Sequence, residues 1–199
     1  MLDNLDADTR AVRREATRAR ILDAAWELAR NEGVAAITLR DIAGRVGMRA
    51  PSLYTYFPSK HALYDAMFAA GARQLADTLA QAREGATPPE TLRARARLFV
   101  AFCTANPTRY QLLLERPVPG FAPSPESLAI MLQALAGTRA ALEAAGVYGE
   151  CALDMLRALI TGLVSLQIAN EPGGDRWTRL QDDALDMFLA HYENRATAP

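Results

Sequence analysis

Ile37-Thr38-Leu39-Arg40-Asp41-Ile42-Ala43-Gly44-Arg45-Val46-Gly47-Met48-Arg49-Ala50-Pro51-Ser52-Leu53-Tyr54-Thr55-Tyr56-Phe57-Pro58-Ser59-Lys60 is the stretch that decides how this chain is read. Leu39, Ile42 and Val46 recur at helical spacing and form one apolar stripe. Thr38 is placed to cap that helix with Asp41 three residues on, and Ile37 can pack against Ile42 as a hydrophobic staple, so the start is specified three ways. Gly47 supplies the positive-φ residue that a tight exit needs, after which Met48, Leu53 and Phe57 turn inward. Arg49, Ser52, Tyr54, Thr55 and Tyr56 are left for the outer faces. Two short helices joined by a glycine turn, with hydroxyls and cations on one side, have the layout of a helix-turn-helix that enters the major groove of DNA.

Working outward, every long segment has the helical period and none alternates as a strand would. Upstream, a helix from about Thr9 to Glu32 carries Ile21, Leu22, Ala25, Leu28 and Ala29 on one face and stops at Gly33. Downstream, Ser59 caps a fourth helix whose Leu63, Met67, Ala70 and Leu75 run toward Glu84, a rod of nearly 40 Å at ~1.5 Å per residue. Thr87, a proline and Glu90 open the next helix, which ends near Asn106-Pro107. A short helix from about Arg109 to Glu115, a proline-rich loop, and a helix from Ser124-Pro125 to about Ala145 follow. The last two helices are expected over about Glu150–Asn170 and Asp175–Glu193. The fold class is therefore all-α. An N-terminal three-helix helix-turn-helix domain, residues 9–65, is joined by a long helix to a larger C-terminal helical bundle, residues 66–195.

Half of the 199 residues are apolar, enough for a sizeable core. The formal net charge of −1 hides a division: residues 10–60 hold ten Arg or Lys against five Asp or Glu, and residues 61–199 hold twelve against fifteen. Such asymmetry suits a front end that meets phosphates and a rear that meets something else. Cys103 and Cys151 lie in apolar helical stretches and read as two buried structural thiols in a reducing cytoplasm, with a redox-sensing pair as the alternative. The chain opens on acidic residues without an apolar signal core, so it is expected to remain cytoplasmic. Cys151–Ala169 approaches membrane-spanning length, but Asp154 and Arg157 inside it make it a core helix and no membrane partner is expected. No nucleophile with its base, zinc spacing or glycine-rich phosphate loop is present, so neither an enzyme nor a bound metal or cofactor is expected.

The Thr38-Leu39, Asp41-Ile42-Ala43, Leu53-Tyr54, Tyr56-Phe57 and Ser59-Lys60 elements, with Ile21-Leu22-Asp23-Ala24-Ala25 and Gly33 upstream, resemble the DNA-binding domain of the TetR family of transcriptional regulators. The resemblance covers roughly residues 17–65. Arg49 departs from it, standing where a small capping residue is usual, so the recognition helix either frays at its start or uses Arg49 on DNA.

The resemblance and the donor chemistry together assign Thr38, Tyr54, Tyr56 and Lys60 to phosphate. Arg40, Arg49, Ala50, Pro51, Ser52 and Thr55 are assigned to base contact, Arg pairing with guanine edges and Ala, Pro or Thr touching a thymine methyl. For Arg40 and Thr55 a solvated surface role stands equally open. Arg10, Arg13, Arg14, Arg18 and Arg20 are either a solvated helix face or additional backbone contacts. The resemblance further implies an effector pocket in the rear domain, with Phe99, Phe102, Cys103, Tyr110, Met131, Leu135 and Leu159 as candidates for an apolar or aromatic small molecule.

It also implies a homodimer through the last two helices, acting on a palindromic operator in double-stranded DNA. On that reading a charge at Val164 or Phe188 gives monomers or insoluble chain, whereas both helices as simple monomer core is the alternative. The expected function is a sequence-specific DNA-binding regulator, a repressor released by its ligand. A DNA-binding architectural or protein-interaction module that senses no ligand is the competing reading.

Overall fold

The computed structural model describes residues 2–82, 85 and 87–196, and among these no strand occurs. Helix α1 (Leu2–Glu32) begins earlier than the expected Thr9. It ends at Gly33, whose φ of 89° is open to glycine and costly for other residues.

Helices α2 (Leu39–Arg45) and α3 (Ala50–Tyr54) are the two short helices of the quoted stretch. The Thr38 hydroxyl accepts from the Asp41 backbone N–H at 3.2 Å and donates to the Asp41 carboxylate. Gly47 has φ 70°, the left-handed turn expected of it. Helix α4 (Lys60–Ala80) starts at Ser59, whose hydroxyl accepts from Ala62 N–H at 3.0 Å. It caps at Gln81, so the rod is nearer 30 Å than 40 Å at ~1.5 Å per residue, and the expected end at Glu84 lies outside the described residues. Together α1 to α4 enclose Ile21, Ala25, Ile37, Ile42, Leu53, Phe57, Leu63 and Tyr64, all essentially removed from solvent.

The rear domain is built around α5 (Pro88–Ala105), which touches α4, α7 (Pro125–Ala144), α8 (Glu150–Asn170) and α9 (Gln181–Ala196). Thr87 and Glu90 form the expected capping box. After Asn106, α6 (Pro107–Tyr110) widens into a π-helical segment, Gln111–Glu115, rather than continuing as an ordinary helix. That segment ends on Arg116, a non-glycine residue at φ 50°. The last helix is also preceded by a 3-10 turn, Thr178–Leu180, where one continuous helix is expected from Asp175. Buried Gln167 explains that break: its side-chain oxygen accepts from Trp177 N–H at 2.9 Å and its amide donates to the Glu171 carbonyl, fixing a turn between α8 and α9.

Helix α4 packs most extensively on α7. Asp65 accepts from Ser124 N–H at 2.7 Å and from its hydroxyl at 3.0 Å, so the start of α7 is held by the N-terminal half of α4. Helix α8 is long and apolar enough by composition to cross a membrane, yet within this fold Ala152, Leu156, Ile160, Val164 and Gln167 form a buried strip along it. Cys103 is buried as expected, but Cys151 is exposed, because it lies in the first turn of α8 off that strip.

Candidate nucleic-acid interface and effector cavity

In the head, the residues assigned to DNA surround α3. Arg40, Arg49, Pro51, Ser52, Tyr54 and Thr55 are exposed, Ala50 and Tyr56 half-buried, and Lys60 half-buried at the first position of α4. Tyr54 keeps 51 % of its surface open, which for an aromatic at the end of a recognition helix leaves its hydroxyl available. Arg49 occupies the N-cap of α3 without a side-chain capping bond, while Pro51 preorganises the first turn in its place.

Some donors are partly spent at home. The Thr55 hydroxyl donates to the Ser52 carbonyl at 2.7 Å. Lys60 Nζ donates to the Ala35 carbonyl at 2.9 Å and lies over the Tyr64 ring, which orients the ammonium and leaves two of its three N–H groups.

The arginines of α1 divide in a way the sequence did not reveal. Arg14 Nη2 donates to the Thr55 carbonyl at 2.9 Å and its guanidinium covers the Tyr56 ring. Arg18 Nη1 donates to the Tyr56 carbonyl at 2.8 Å and stacks on Phe57, 4.5 Å from the ring centroid. Both satisfy carbonyls at the exit of α3 and so position the recognition helix, rather than standing as a solvated face. Tyr64 completes the brace, its buried hydroxyl donating to the Val34 carbonyl at 2.7 Å; burial pushes the pKa of that hydroxyl up to about 12.

In the rear, a cavity of about 430 Å³ opens between α5, α7, α8 and the π-helical segment. Of the seven expected lining residues it takes Phe99, Tyr110 and Leu135. Phe102, Cys103, Met131 and Leu159 do not line it: Phe102 lies under the Arg109 guanidinium, 3.8 Å from the ring centroid, Cys103 and Met131 are buried in the core, and Leu159 packs against the core. Burial pushes the Cys103 thiol up to about 12, which suits packing and not reactivity.

The cavity has a polar wall that apolar periodicity could not indicate. Arg95 and Thr138 stand in it with Asp154 and Arg157, and Glu115, Thr161 and Ser165 in it with Tyr110. The Tyr110 hydroxyl shares a 2.6 Å hydrogen bond with Ser165, which itself donates to Glu115 at 3.2 Å. The signal for these residues lay in polar side chains recurring on an otherwise apolar helix, Asp154, Arg157, Thr161 and Ser165 at three- and four-residue spacing.

On α8 and α9, Val164 and Phe188 are buried within the single chain. A charge at either therefore breaks the fold before it can separate subunits, which favours the insoluble chain of the two expected outcomes. The open apolar residues there are Met155 and Leu166 on α8, Leu180 in the 3-10 turn before α9, and Met187 on α9, the last with 75 % of its surface exposed.

Comparison with known proteins agrees with this geometry. Residues 21–67 match the family described as bacterial regulatory proteins, tetR family, and residues 92–192 match the tetracyclin repressor-like C-terminal domain. The chain is 29% identical over 137 residues to the HTH-type transcriptional regulator Rv1816 of Mycobacterium tuberculosis, an alignment covering 67% of this chain and 58% of that one. It thus spans less than two thirds of that curated relative. The crystal structure of SCO4313 superposes with a TM-score of 0.74 at 27% identity, covering 90% of this chain and 98% of the other. A TetR variant from Acinetobacter baumannii, solved in complex with minocycline, shares the fold with a TM-score of 0.61 at 22% identity, over 89% of this chain and 97% of its own.

Proposed function

Since this chain belongs to the TetR family of bacterial regulatory proteins, a family of transcriptional regulators and not of enzymes, we propose that it is a repressor that binds a palindromic operator as a homodimer and leaves it when a small molecule fills the rear cavity. The observation that carries this reading is the outer surface of α3 and its flanks. Arg49, Ser52 and Tyr54 stand exposed there on a helix whose exit is braced by Arg14 and Arg18. Residues 9–65 form the reading head, and residues 66–195 carry the effector cavity and the dimer surface.

Tyr54, Tyr56 and Lys60 hold phosphates, and Thr38 joins them by turning its hydroxyl hydrogen from the Asp41 carboxylate to the DNA, whereas Arg40, Arg49, Ala50, Pro51, Ser52 and Thr55 face the bases. The dimer pairs α8 and α9 with their copies through Met155, Leu166, Leu180 and Met187, apolar side chains that the single chain leaves open. Two heads so joined must meet half-sites about 34–36 Å apart, so a shift of a few ångströms mis-sets many contacts together. Two routes lead from cavity to head: α7, held to α4 by Ser124 and Asp65, and the π-helical segment, which runs back through α6 to Arg109 and its 2.7 Å bond to Gln74 of α4. A cavity walled by both routes favours a ligand-responsive regulator over a module that senses nothing.

Binding to operator fragments selected from the genome tests the head. Lys60→Ala is expected to weaken all sequences and lower the salt dependence, and Arg49→Ala to relax preference at particular base pairs by ~1–3 kcal/mol each. A Lys60→Ala chain that changes preference without losing affinity refutes the assignment of roles. Sedimentation tests the dimer: Met187→Asp should give a folded monomer, and a wild type monomeric at micromolar concentration excludes the pairing.

A further inference from the structure

Arg95 on α5 is a cation in the cavity wall that, among the described residues, has no carboxylate within ion-pair distance. Asp154 is spent on Arg157 at 3.7 Å, and Glu115 accepts from Ser165 at 3.2 Å. Its own hydrogen bonds are long and go to neutral groups. Nε donates to the Thr138 hydroxyl at 3.5 Å and Nη1 to the Leu79 carbonyl, in the last turn of α4, at 3.3 Å. A guanidinium has five N–H donors in a planar fork matched to a carboxylate, and most of these are unspent. Burial lowers its pKa with no carboxylate to offset the cost, yet an arginine stays charged at physiological pH.

Its position is also built. The guanidinium lies directly on the backbone of α7 at Gly137, where a Cβ would come within 2.7 Å of Nη2. Beyond it the cavity wall turns apolar, with Leu92, Ala96, Phe99, Leu135, Leu156 and Ile160.

We propose that the ligand of this cavity is an amphipathic carboxylate, its head paired with Arg95 and its apolar body laid along Phe99, Leu135 and Ile160. The pairing draws the guanidinium off the Leu79 carbonyl and so frees the end of α4. The proposal rests on reading the cavity as the effector site, and it deepens that reading by fixing the charge of the effector.

The test uses the full-length chain and three probes of one length, decanoate, decanol and decylamine, titrated calorimetrically. Decanoate is expected to bind at least about tenfold more tightly than decanol, the step that a charge-assisted pair supplies, and decylamine more weakly than either. In Arg95→Gln the affinity for decanoate should fall to that for decanol while decanol binds as before; Arg95→Lys should recover some of the difference. Gly137→Ala, which retains the charge but displaces its tip, should weaken decanoate alone, and thermal melts establish that each variant is folded. Operator-bound protein should be released by decanoate and not by decanol.

Equal binding of decanoate and decanol, tighter binding of decylamine, or decanoate affinity unchanged in folded Arg95→Gln overturns the assignment of charge and leaves the effector cavity standing. Failure of all three probes to bind the wild type removes this proposal, and failure of a wide panel of unrelated small molecules would then remove the cavity reading with it.

Discussion

The head and the rear of this molecule are packed to different ends. In the head, Ile21, Ile37, Ile42, Leu53, Phe57 and Leu63 are at most 1% exposed, and the buried Tyr64 hydroxyl has its acceptor. In the rear, α5, α7 and α8 border a cavity of some 430 Å³, with an arginine in the wall whose hydrogen bonds are 3.3 and 3.5 Å long. Close-packed interiors move as units, whereas a wall with unmet donors and a void has more than one arrangement near in energy. The proposed ligand response thus falls to the rear, with the head carried as a unit.

The contrast is broken most directly by truncating one residue on each side. Ile42→Ala should cost ~2–5 kcal/mol, the range for a large-to-small change in a core that cannot collapse around the gap. Phe99→Ala, made where the side chain already borders open space, should cost less by at least ~1 kcal/mol. Guanidinium unfolding curves measure both. Equal losses would mean that the cavity wall is as tightly determined as the head.

A smaller effect sharpens the same contrast through pH. Tyr64→Phe leaves the Val34 carbonyl buried without its donor, a loss of ~1–3 kcal/mol near neutrality. The Tyr64 hydroxyl is raised from 10.0 to about 12, so the unfolded chain ionises it first. Its contribution is intact below pH 10 and is lost as the pH rises from 10 toward 12. Cys103, also raised to about 12, adds to the alkaline loss from its own ordinary value of 9.0 upward. Stability measured from pH 9 to 12 should therefore fall less steeply in Tyr64→Phe than in wild type, and identical slopes would place the titration elsewhere.

What was legible in the sequence follows the reach of the physics involved. Thr38, Ser59, Thr87 and Ser124 each cap a helix through a bond three residues away, so short-range spacing was enough to find them. Gly47 could be read for the same reason. Lining a cavity is another kind of property, because it depends on how four elements stand relative to one another. Phe102 and Met131 have the composition of a pocket and lie in the core, while Arg95 and Thr138 lie in the pocket wall with the composition of a helix surface. The bracing role of Arg14 and Arg18 was hidden in the same way, since their partners at Thr55 and Tyr56 are 41 and 38 residues distant. Apolar periodicity on α8 predicted that it must be covered, but not that Val164 faces inward and Leu166 outward.

The smallest expected effect lies at Arg49, where the demands of the fold and of DNA diverge. Its backbone is extended, φ −75° and ψ 141°, as an N-cap requires, but its side chain makes no capping bond. A serine could share the Ser52 N–H, which already donates to the Arg49 carbonyl at 2.9 Å, and Pro51 at N2 has no N–H to satisfy, so the gain is at the bottom of the range for a cap, ~0.5 kcal/mol. Arg49→Ser should thus raise the stability of the protein slightly. On DNA the same change removes a guanidinium from the start of the recognition helix, and discrimination at one base pair in each half-site should fall by ~1–3 kcal/mol. The two measurements are expected to move in opposite directions, a folded state made firmer and a sequence preference made looser. If Arg49→Ser stabilises the chain and leaves binding to every randomised operator unchanged, Arg49 faces solvent, and base recognition must rest on Ser52, Thr55 and Arg40, which the same randomised operators would then test one substitution at a time.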